Sequence, residues 1–198
     1  MIILQILFKG CIFMEYKIKV AGLERSLPIC PVSDDLNIAA FIIFGDAELT
    51  CACASALLKK APDYDYLITA ESKGIPLAHE MARQHGDSRY MLARKSVKVY
   101  MRDVISSSVK SITTANMQTL YLDGEAAEQL KGKRVLLVDD VVSTGESLRA
   151  LELLVKRAGG EICGKMAILA EGDAAKRDDI IYLETLPLFD KYGRPISL

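Results

Sequence analysis

Residues 135–147 read VLLVDDVVSTGES, and this segment constrains the fold more than any other part of the chain. Its first four residues are all apolar, which is typical of a short strand that is buried on both faces. Apolar residues then recur at helical spacing, at positions 148, 151, 154, 155 and 158. A Gly-Gly stop at 159–160 and a further apolar run at 162–169 complete a β-α-β unit, whose two strands run parallel.

Strands and helices alternate along much of the remaining chain. Apolar runs typical of buried strands occupy residues 66–70, 90–93 and 180–183, with 180–183 predicted as the last strand. Helical patterns occupy residues 46–60, where Asp46 is the expected N-cap, and residues 74–84 and 123–130. The alternation predicts an α/β fold with a doubly wound, mostly parallel sheet flanked by helices.

Other segments predict strands outside this parallel sheet. Residues 16–20 alternate polar and apolar side chains like an edge strand, and residues 38–44 form a short apolar run. Residues 98–105 and 117–122 are predicted to pair as a long β-hairpin. The polar segment 106–116 between them is predicted to be a flexible loop, either disordered or a mobile lid.

Composition bounds the class of protein. A length of 198 residues suits a single domain, and a hydrophobic content of 51% is enough for a substantial core. The formal net charge of -1 provides no basic surface for nucleic acid or an anionic membrane, so we expect neither partner. Five cysteines without a regular spacing indicate reduced thiols and a cytoplasmic protein.

The first 13 residues are apolar but do not have the pattern of a signal peptide, and they are too short to span a bilayer. Met14 opens a more ordinary sequence. We interpret residues 1–13 as an upstream extension, with an extra strand or an interface segment as the alternative.

The turn after strand 135–138 carries the residue types of a phosphate site. Asp139 and Asp140 close the strand and can accept hydrogen bonds from sugar hydroxyls. Backbone N–H groups at the start of a helix and small hydroxyl side chains can surround an anion; the residues placed to do so are Ser143, Thr144, Gly145, Glu146 and Ser147. An ordinary loop with incidental acids is the alternative, but two adjacent carboxylates repel each other, which makes that alternative less favoured.

A second turn of the same kind follows strand 66–70. Glu71, Ser72, Lys73 and Gly74 end a buried strand and start a helix, so they offer backbone N–H groups, a hydroxyl and a cation to an anion. By itself this tetrapeptide also fits an ordinary strand-to-helix turn. Arg94 and Lys95 follow the next strand and add two further cations.

On these residues, the chain from about 66 to 169 resembles the type I phosphoribosyltransferases, and most of all the adenine phosphoribosyltransferase group. In that family the segment matching 139–147 binds phosphoribosyl diphosphate (PRPP). The adenine enzymes carry Asp-Ser-Arg-Gly where this chain has Glu71 to Gly74, and they have an Arg-Lys pair where it has Arg94 and Lys95.

The resemblance implies a role for each part of the site. Asp139 and Asp140 would hold the ribose hydroxyls as the catalytic pair, residues 143–147 the 5′-phosphate, and residues 71–74 the diphosphate. It also implies a homodimer and Mg²⁺ carried by PRPP with no direct protein ligand. The implied arrangement is one domain over residues 1–198, with a small N-terminal hood over 14–46 and a PRPP-binding core over 66–185.

The base is less constrained than PRPP. The hypoxanthine-guanine enzymes have an aspartate at the position of Ser143, whereas the adenine enzymes usually have alanine, so Ser143 favours adenine or xanthine. Glu146 stands where glycine is usual, and we expect it to face solvent at the helix start. Leu27, Ile29 and Val32 are candidates for the wall of the base site, although packing within the hood is at least as good an explanation.

The expected reaction is the transfer of ribose-5-phosphate from PRPP to adenine, which gives AMP and diphosphate in purine salvage. A phosphoribosyltransferase for another base, such as xanthine, is the first alternative. A PRPP-binding regulator without catalysis and a catalytically silent member of the family are the others.

Overall fold

The structure is a computed structural model, and it describes residues 14–110 and 117–196. A parallel sheet of five strands forms the centre, in the order β10-β9-β8-β4-β5. The predicted doubly wound α/β fold is therefore confirmed. The strands are β4 (Tyr66–Ala70), β5 (Met91–Ala93), β8 (Arg134–Val142), β9 (Glu161–Glu171) and β10 (Ile181–Leu186).

Four helices flank this sheet in the described part of the chain: α1 (Ala47–Leu58), α2 (Ile75–His85), α3 (Gly124–Leu130) and α4 (Glu146–Arg157). Each follows a predicted helix closely. Asp46 caps α1, because its carboxylate accepts a hydrogen bond from the Leu49 amide. Among the described residues, no helix is long and apolar enough to cross a membrane.

Strand β8 is buried on both faces, as its apolar run predicts. Leu136 and Val138 belong to one core cluster, and Val135 and Leu137 belong to another, as the two-residue period of a strand requires. The first cluster also contains residues of α1 and α2, and the second contains residues of α3 and α4. The sheet thus has a packed layer on each side.

A second, antiparallel sheet has the order β1-β2-β3-β11, and we refer to it as the hood sheet. Its strands are β1 (Glu15–Val20), β2 (Leu23–Pro31), β3 (Leu36–Ala39) and β11 (Leu188–Asp190). Ile18, Val20 and Leu27 join the same core cluster as Leu136 and Met166 of the parallel sheet. The hood sheet therefore shares a continuous core with the parallel sheet.

Three strand predictions are wrong in part. Residues 180–183 do not end the strands, because β11 follows and pairs with β3. The strand predicted over 38–44 lies at Leu36–Ala39 instead, since its pairing with β2 extends from Asn37 to Ala39 and ends there. Residues 98–101 form a turn in which the Met101 amide donates to the Lys98 carbonyl, so the predicted strand 98–105 is displaced.

The hairpin consists of β6 (Ile105–Lys110) and β7 (Met117–Leu122), which pair in antiparallel register. Its second strand matches the prediction. Residues 111–116, which carry the rest of the predicted lid, lie outside the described residues, as does the predicted extension at 1–13.

Candidate active site

The two predicted anion-binding turns lie side by side, because β4 and β8 are neighbouring parallel strands. Gly74 is at the point of contact. A β-carbon at this position would overlap Thr69 Oγ1 and would lie 3.1 Å from Asp139 Oδ1. Only glycine leaves room for this close approach, so the sequence of the first turn is matched to the end of β8.

Lys73 connects the first turn to the acidic pair. Its Nζ lies 3.1 Å from Oδ2 of Asp140. The Asp140 side chain is nearly inaccessible, whereas Lys73 is about half-exposed. Because Asp140 Oδ2 accepts no well-oriented hydrogen bond within the described residues, Lys73 is the group that compensates this buried charge.

Asp139 is in a different electrostatic situation from Asp140. Burial, and then the neighbouring Asp140 carboxylate, raise the pKa of Asp139 to about 7. Its Oδ1 accepts a hydrogen bond from the Asp140 amide at 2.9 Å, which offsets part of this cost. The adjacent acids thus form an electrostatically strained pair at the end of a buried strand.

The second turn, residues 143–147, encloses a small cavity of about 120 Å³ together with Asp139 and Leu148. Ser143 and Thr144 are exposed, and the rest of the turn is half-buried. Gly145 is the N-cap of α4 with φ 77°, and no side chain caps this helix. The turn has the size and the helix N-terminus that a phosphate group needs.

The prediction that Glu146 faces solvent holds only in part. It is half-buried and lines both this cavity and an adjacent one of about 340 Å³. Because α4 begins at Glu146, its carboxylate also benefits from the positive end of the helix dipole.

Glu71 connects the first turn to the end of β5. Its carboxylate accepts a hydrogen bond from the Lys95 amide at 2.9 Å and lies 3.5 Å from Arg94 Nε. The Lys95 amide, opposed by burial and assisted by Arg94, lowers the pKa of Glu71. The predicted Arg94–Lys95 pair is therefore held next to the turn that contains Lys73.

The hairpin contacts the second turn. Gln118 Nε2, on β7, donates a hydrogen bond to Ser147 Oγ at 2.8 Å. At the other end of α4, Arg157 Nη1 donates to the Ser106 carbonyl on β6. Both hairpin strands thus rest on the helix that the turn begins.

The candidate base-binding residues do not form one open surface. Leu27 is buried in the core, so it cannot contact a ligand, and its predicted role is wrong. Ile29 is half-buried on β2, and Val32 is 55% exposed beyond the end of that strand. Alternation along β2 explains the difference, because its apolar side chains turn toward the shared core.

Two residues beside the second turn, Arg177 and Glu171, were not predicted from the sequence. A β-carbon at Gly145 would lie 2.5 Å from Arg177 Nη1, so this guanidinium covers the second turn. Asp179 fixes Arg177 through two hydrogen bonds of 2.9 Å. Glu171, the last residue of β9, is buried beside the second turn. A carboxylate that closes a buried strand is the signal that identified Asp139, and it applies equally to Glu171.

Cavity size does not locate this site. A cavity of about 1250 Å³ lies between α3, the hairpin and the end of α4, and none of the predicted site residues lines it. Two of the cations that line it are paired with acids, Arg89 with Glu125 and Lys131 with Glu128.

Comparison with known proteins supports the resemblance. The sequence profile of the family described as "Phosphoribosyl transferase domain" matches residues 52–191. A hypoxanthine/guanine phosphoribosyltransferase of Methanotorris igneus is 31% identical over 150 residues, which cover 75% of this chain and 74% of that protein. An adenine phosphoribosyltransferase of Thermotoga petrophila is 35% identical over 109 residues, 55% of this chain and 60% of that one.

Solved structures share the fold at lower identity. An adenine phosphoribosyltransferase from Leishmania donovani superposes with a TM-score of 0.64 and 18% identity, covering 86% of this chain and 76% of that chain. The enzyme from Thermoanaerobacter pseudethanolicus gives a TM-score of 0.61 and 21% identity, covering 72% and 84%. With the profile spanning most of its length and its strand-turn-helix segments in the same order, the chain belongs to the type I phosphoribosyltransferase family of enzymes.

Proposed function

We propose that this enzyme transfers ribose-5-phosphate from PRPP to a purine base, with adenine as the acceptor, and releases diphosphate. The observation that carries the proposal is the meeting of two glycine-started helices at the Asp139–Asp140 pair, with Lys73 3.1 Å from Asp140. PRPP has a phosphate at one end and a diphosphate at the other, with sugar hydroxyls between them. The site offers two anion-binding turns with carboxylates between them.

PRPP is placed by matching its charges to these groups. The 5′-phosphate lies in the turn 143–147, and Asp139 and Asp140 accept hydrogen bonds from the ribose hydroxyls. The diphosphate lies at the turn 71–74, where Ser72, Lys73 and the backbone face it, with Arg94 and Lys95 nearby. The Glu71 carboxylate is engaged by Arg94 and Lys95, so only the backbone of Glu71 takes part.

Mg²⁺ fits this site as a partner of the substrate. No group of three or more metal-ligating side chains is found within the described residues. Mg²⁺ retains water and substrate phosphates as ligands in many enzymes. When bound with PRPP, it neutralises charge on the departing diphosphate.

Catalysis follows from position and charge. N9 of the base attacks C1′ while the C1′–oxygen bond to diphosphate breaks, and positive charge develops on the ribose. The Asp139 and Asp140 carboxylates stabilise that charge. Lys73, Arg94 and Lys95 stabilise the leaving diphosphate.

Hypoxanthine and guanine are the second candidate acceptors. Relatives of this name match three quarters of the chain at about the same identity as the adenine enzyme matches over a shorter segment. Adenine is supported by that adenine relative and by Ser143, because the resemblance associates aspartate at this position with the hypoxanthine-guanine enzymes.

The test measures diphosphate release from PRPP and Mg²⁺ with adenine, hypoxanthine, guanine, xanthine, uracil or orotate added singly. We expect release with adenine. Release with hypoxanthine or guanine alone would change the proposed acceptor and leave the proposed reaction unchanged. If no base gives release while PRPP still raises the melting temperature, the protein binds PRPP without this activity. In an active enzyme, unchanged turnover of Asp140→Asn would contradict the ribose role.

A further inference from the structure

Arg177 is a cation beside the second turn that the mechanism above does not use. A β-carbon at Gly145 would lie 2.5 Å from Arg177 Nη1 and 3.8 Å from its Cζ, so the guanidinium approaches the turn with Nη1 foremost. Asp179 holds a different edge of the same group, because Nε and Nη2 each donate to its carboxylate at 2.9 Å. The nitrogen that faces the second turn is therefore Nη1, which Asp179 does not engage.

A network of ion pairs fixes the position of this guanidinium. Lys165, on β9, lies 2.6 Å from Asp179 Oδ2 and 2.8 Å from Glu152 Oε1, on α4. The side chains of Lys165 and Glu152 are only 17% and 19% exposed, so solvent screens their pairing less than it screens a surface pair. Arg177 is thus tied through Asp179 and Lys165 to β9 and to α4, the helix that begins at the second turn.

The cavity that Arg177 lines, of about 340 Å³, adjoins the smaller cavity of the second turn. Charged residues of both signs line it in equal number, the cations being Arg149, Lys165 and Arg177 and the acids Glu146, Glu152 and Asp179. Because these charges balance, any preference for an anion has to come from the placement of single groups and not from net charge.

The start of α1 shows how this protein joins an arginine to a helix start. Arg25 Nε and Nη2 donate to the Asp46 carboxylate at 2.6 and 3.1 Å. The same carboxylate accepts a hydrogen bond from the Leu49 amide at 3.0 Å, so an anion lies between a guanidinium and the amides of the helix. This order is favourable because the positive end of a helix repels a cation unless an anion separates them.

The start of α4 has the arginine and the helix amides, but its N-cap residue is Gly145 and no side chain caps the helix. A guanidinium beside the positive end of a helix is unfavourable by itself. A phosphate in the second turn would occupy the place that the Asp46 carboxylate has at α1. It would accept hydrogen bonds from the amides of α4 on one side and from Arg177 Nη1 on the other.

Resting on the proposed function, we propose that Arg177 is a binding residue for the 5′-phosphate of PRPP and that Asp179 positions it. A side-chain charge then holds this end of the substrate together with the backbone amides. Because the diphosphate is assigned to residues 71–74, the two ends of PRPP depend on different cations, Arg177 and Lys73. The 5′-phosphate does not react, so Arg177 contributes to substrate binding and little to the chemical step.

The test measures, by calorimetry, the affinity for two ligands that each carry one end of PRPP: ribose 5-phosphate, and inorganic diphosphate with Mg²⁺. We expect Arg177→Gln to weaken ribose 5-phosphate binding roughly 10- to 100-fold, because it removes a hydrogen bond between two charged groups. Diphosphate binding should be unchanged. Lys176→Gln is the matched control, because it removes a neighbouring cation whose side chain is 62% exposed and pairs with Asp173.

Two further variants separate binding from folding. Arg177→Lys keeps the charge but cannot bridge Asp179 and the turn in the same way, so its affinity for ribose 5-phosphate should lie between those of the wild type and Arg177→Gln. Asp179→Asn should weaken the same ligand by a smaller factor, since the guanidinium charge remains. In turnover assays, Arg177→Gln should raise KM for PRPP and leave KM for the base and kcat nearly unchanged.

The outcomes distinguish this inference from the proposed function. Wild-type affinity of Arg177→Gln for ribose 5-phosphate would overturn the role of Arg177 and leave the proposed function intact. An equal loss of both ligands in Arg177→Gln, or in Arg177→Lys if the first variant does not fold, would also overturn it, because the residue would then be structural. A wild-type protein that binds neither ligand would remove the proposed function, and the role of Arg177 with it.

Discussion

Of the four α-helices in the described part of the chain, α1 and α3 begin on an aspartate, whereas α2 and α4 begin on a glycine. Asp46 accepts a hydrogen bond from the Leu49 amide, and Asp123 accepts one from the Glu125 amide, each at 3.0 Å. Gly74 and Gly145 have no side chain that caps the helix. In the first pair, an aspartate side chain accepts a hydrogen bond from an amide in the first turn of the helix, whereas no side chain does so in the second pair.

A carboxylate near each kind of helix start also differs in the direction of its pKa shift. Arg25 and the Leu49 amide lower the pKa of Asp46, against a smaller effect of burial, so its negative charge is stabilised in the folded protein. Burial and Asp140 raise the pKa of Asp139. Ionisation of Asp46 is therefore favoured in the folded protein, whereas ionisation of Asp139 is disfavoured.

The largest expected effect comes from replacing the N-cap glycine of α4 with aspartate, the residue type that caps α1. Gly145→Asp places a carboxylate in the turn that is proposed to hold the 5′-phosphate, and like charges in close contact repel strongly. We expect the affinity for PRPP, measured by calorimetry with Mg²⁺, to fall on the order of 100-fold. Gly132→Asp is the control, because Gly132 has φ 67° and no neighbour within 4 Å. An equal loss of PRPP affinity in the two variants would contradict the proposed difference between the start of α4 and the rest of the surface.

The second effect is on stability and depends on pH. With a folded pKa of about 7, Asp139 lowers stability progressively as pH rises from the unfolded-state value near 4 through 7. Asp139→Asn should therefore raise the free energy of unfolding by about 2 kcal/mol at pH 8, and by little at pH 4. Urea denaturation at both pH values measures this change in the free energy of unfolding. Asp46→Asn should destabilise at pH 8, and a loss of stability in both variants would show that the two carboxylates do not differ.

The close approach of the first turn to Asp139 predicts a suppressor. Gly74→Ala brings a methyl group into Thr69 Oγ1, although the backbone φ of -69° suits alanine. We expect PRPP affinity to fall about tenfold, because the turn must shift away from β8. Thr69→Ala combined with Gly74→Ala should recover most of the affinity. Failure of the second substitution to restore binding would mean that crowding is not the cause.

The smallest effect is expected at a capped helix. Asp123→Ala should lower the free energy of unfolding by about 1 kcal/mol, whereas Asp123→Asn retains the capping oxygen and should cost little. Neither variant should change the rise in melting temperature that PRPP produces. A change in that rise would show that α3 is coupled to the site, which the contrast between capped and open helices excludes.

The strand-turn-helix segments could be predicted because their signals are local. The apolar run of β8, the acids that close it and the spacing of α4 lie within about 25 residues of one another. Both turns were therefore found, and the parallel sheet brings them together. The same reasoning could have found Glu171, which closes the apolar run of β9.

The hood sheet could not be predicted in full because its pairings are distant in sequence. Strand β11 has only three residues and no periodic pattern, and it is defined by pairing with β3, about 150 positions earlier. Leu27 failed as a base contact for a related reason. An apolar side chain on a strand suits a ligand wall and a core equally, and only the tertiary packing decides between them.

The pairing of β11 with β3 also sets an order of events during synthesis. Asn37 Nδ2 donates a hydrogen bond of 2.6 Å to the Asp190 carbonyl, which joins residues 153 positions apart. The turns at 71–74 and 143–147 are synthesised before Leu188–Asp190 leaves the ribosome, and the hood sheet gains its last strand only afterwards. The hood sheet is therefore completed later than the two turns in a newly made molecule.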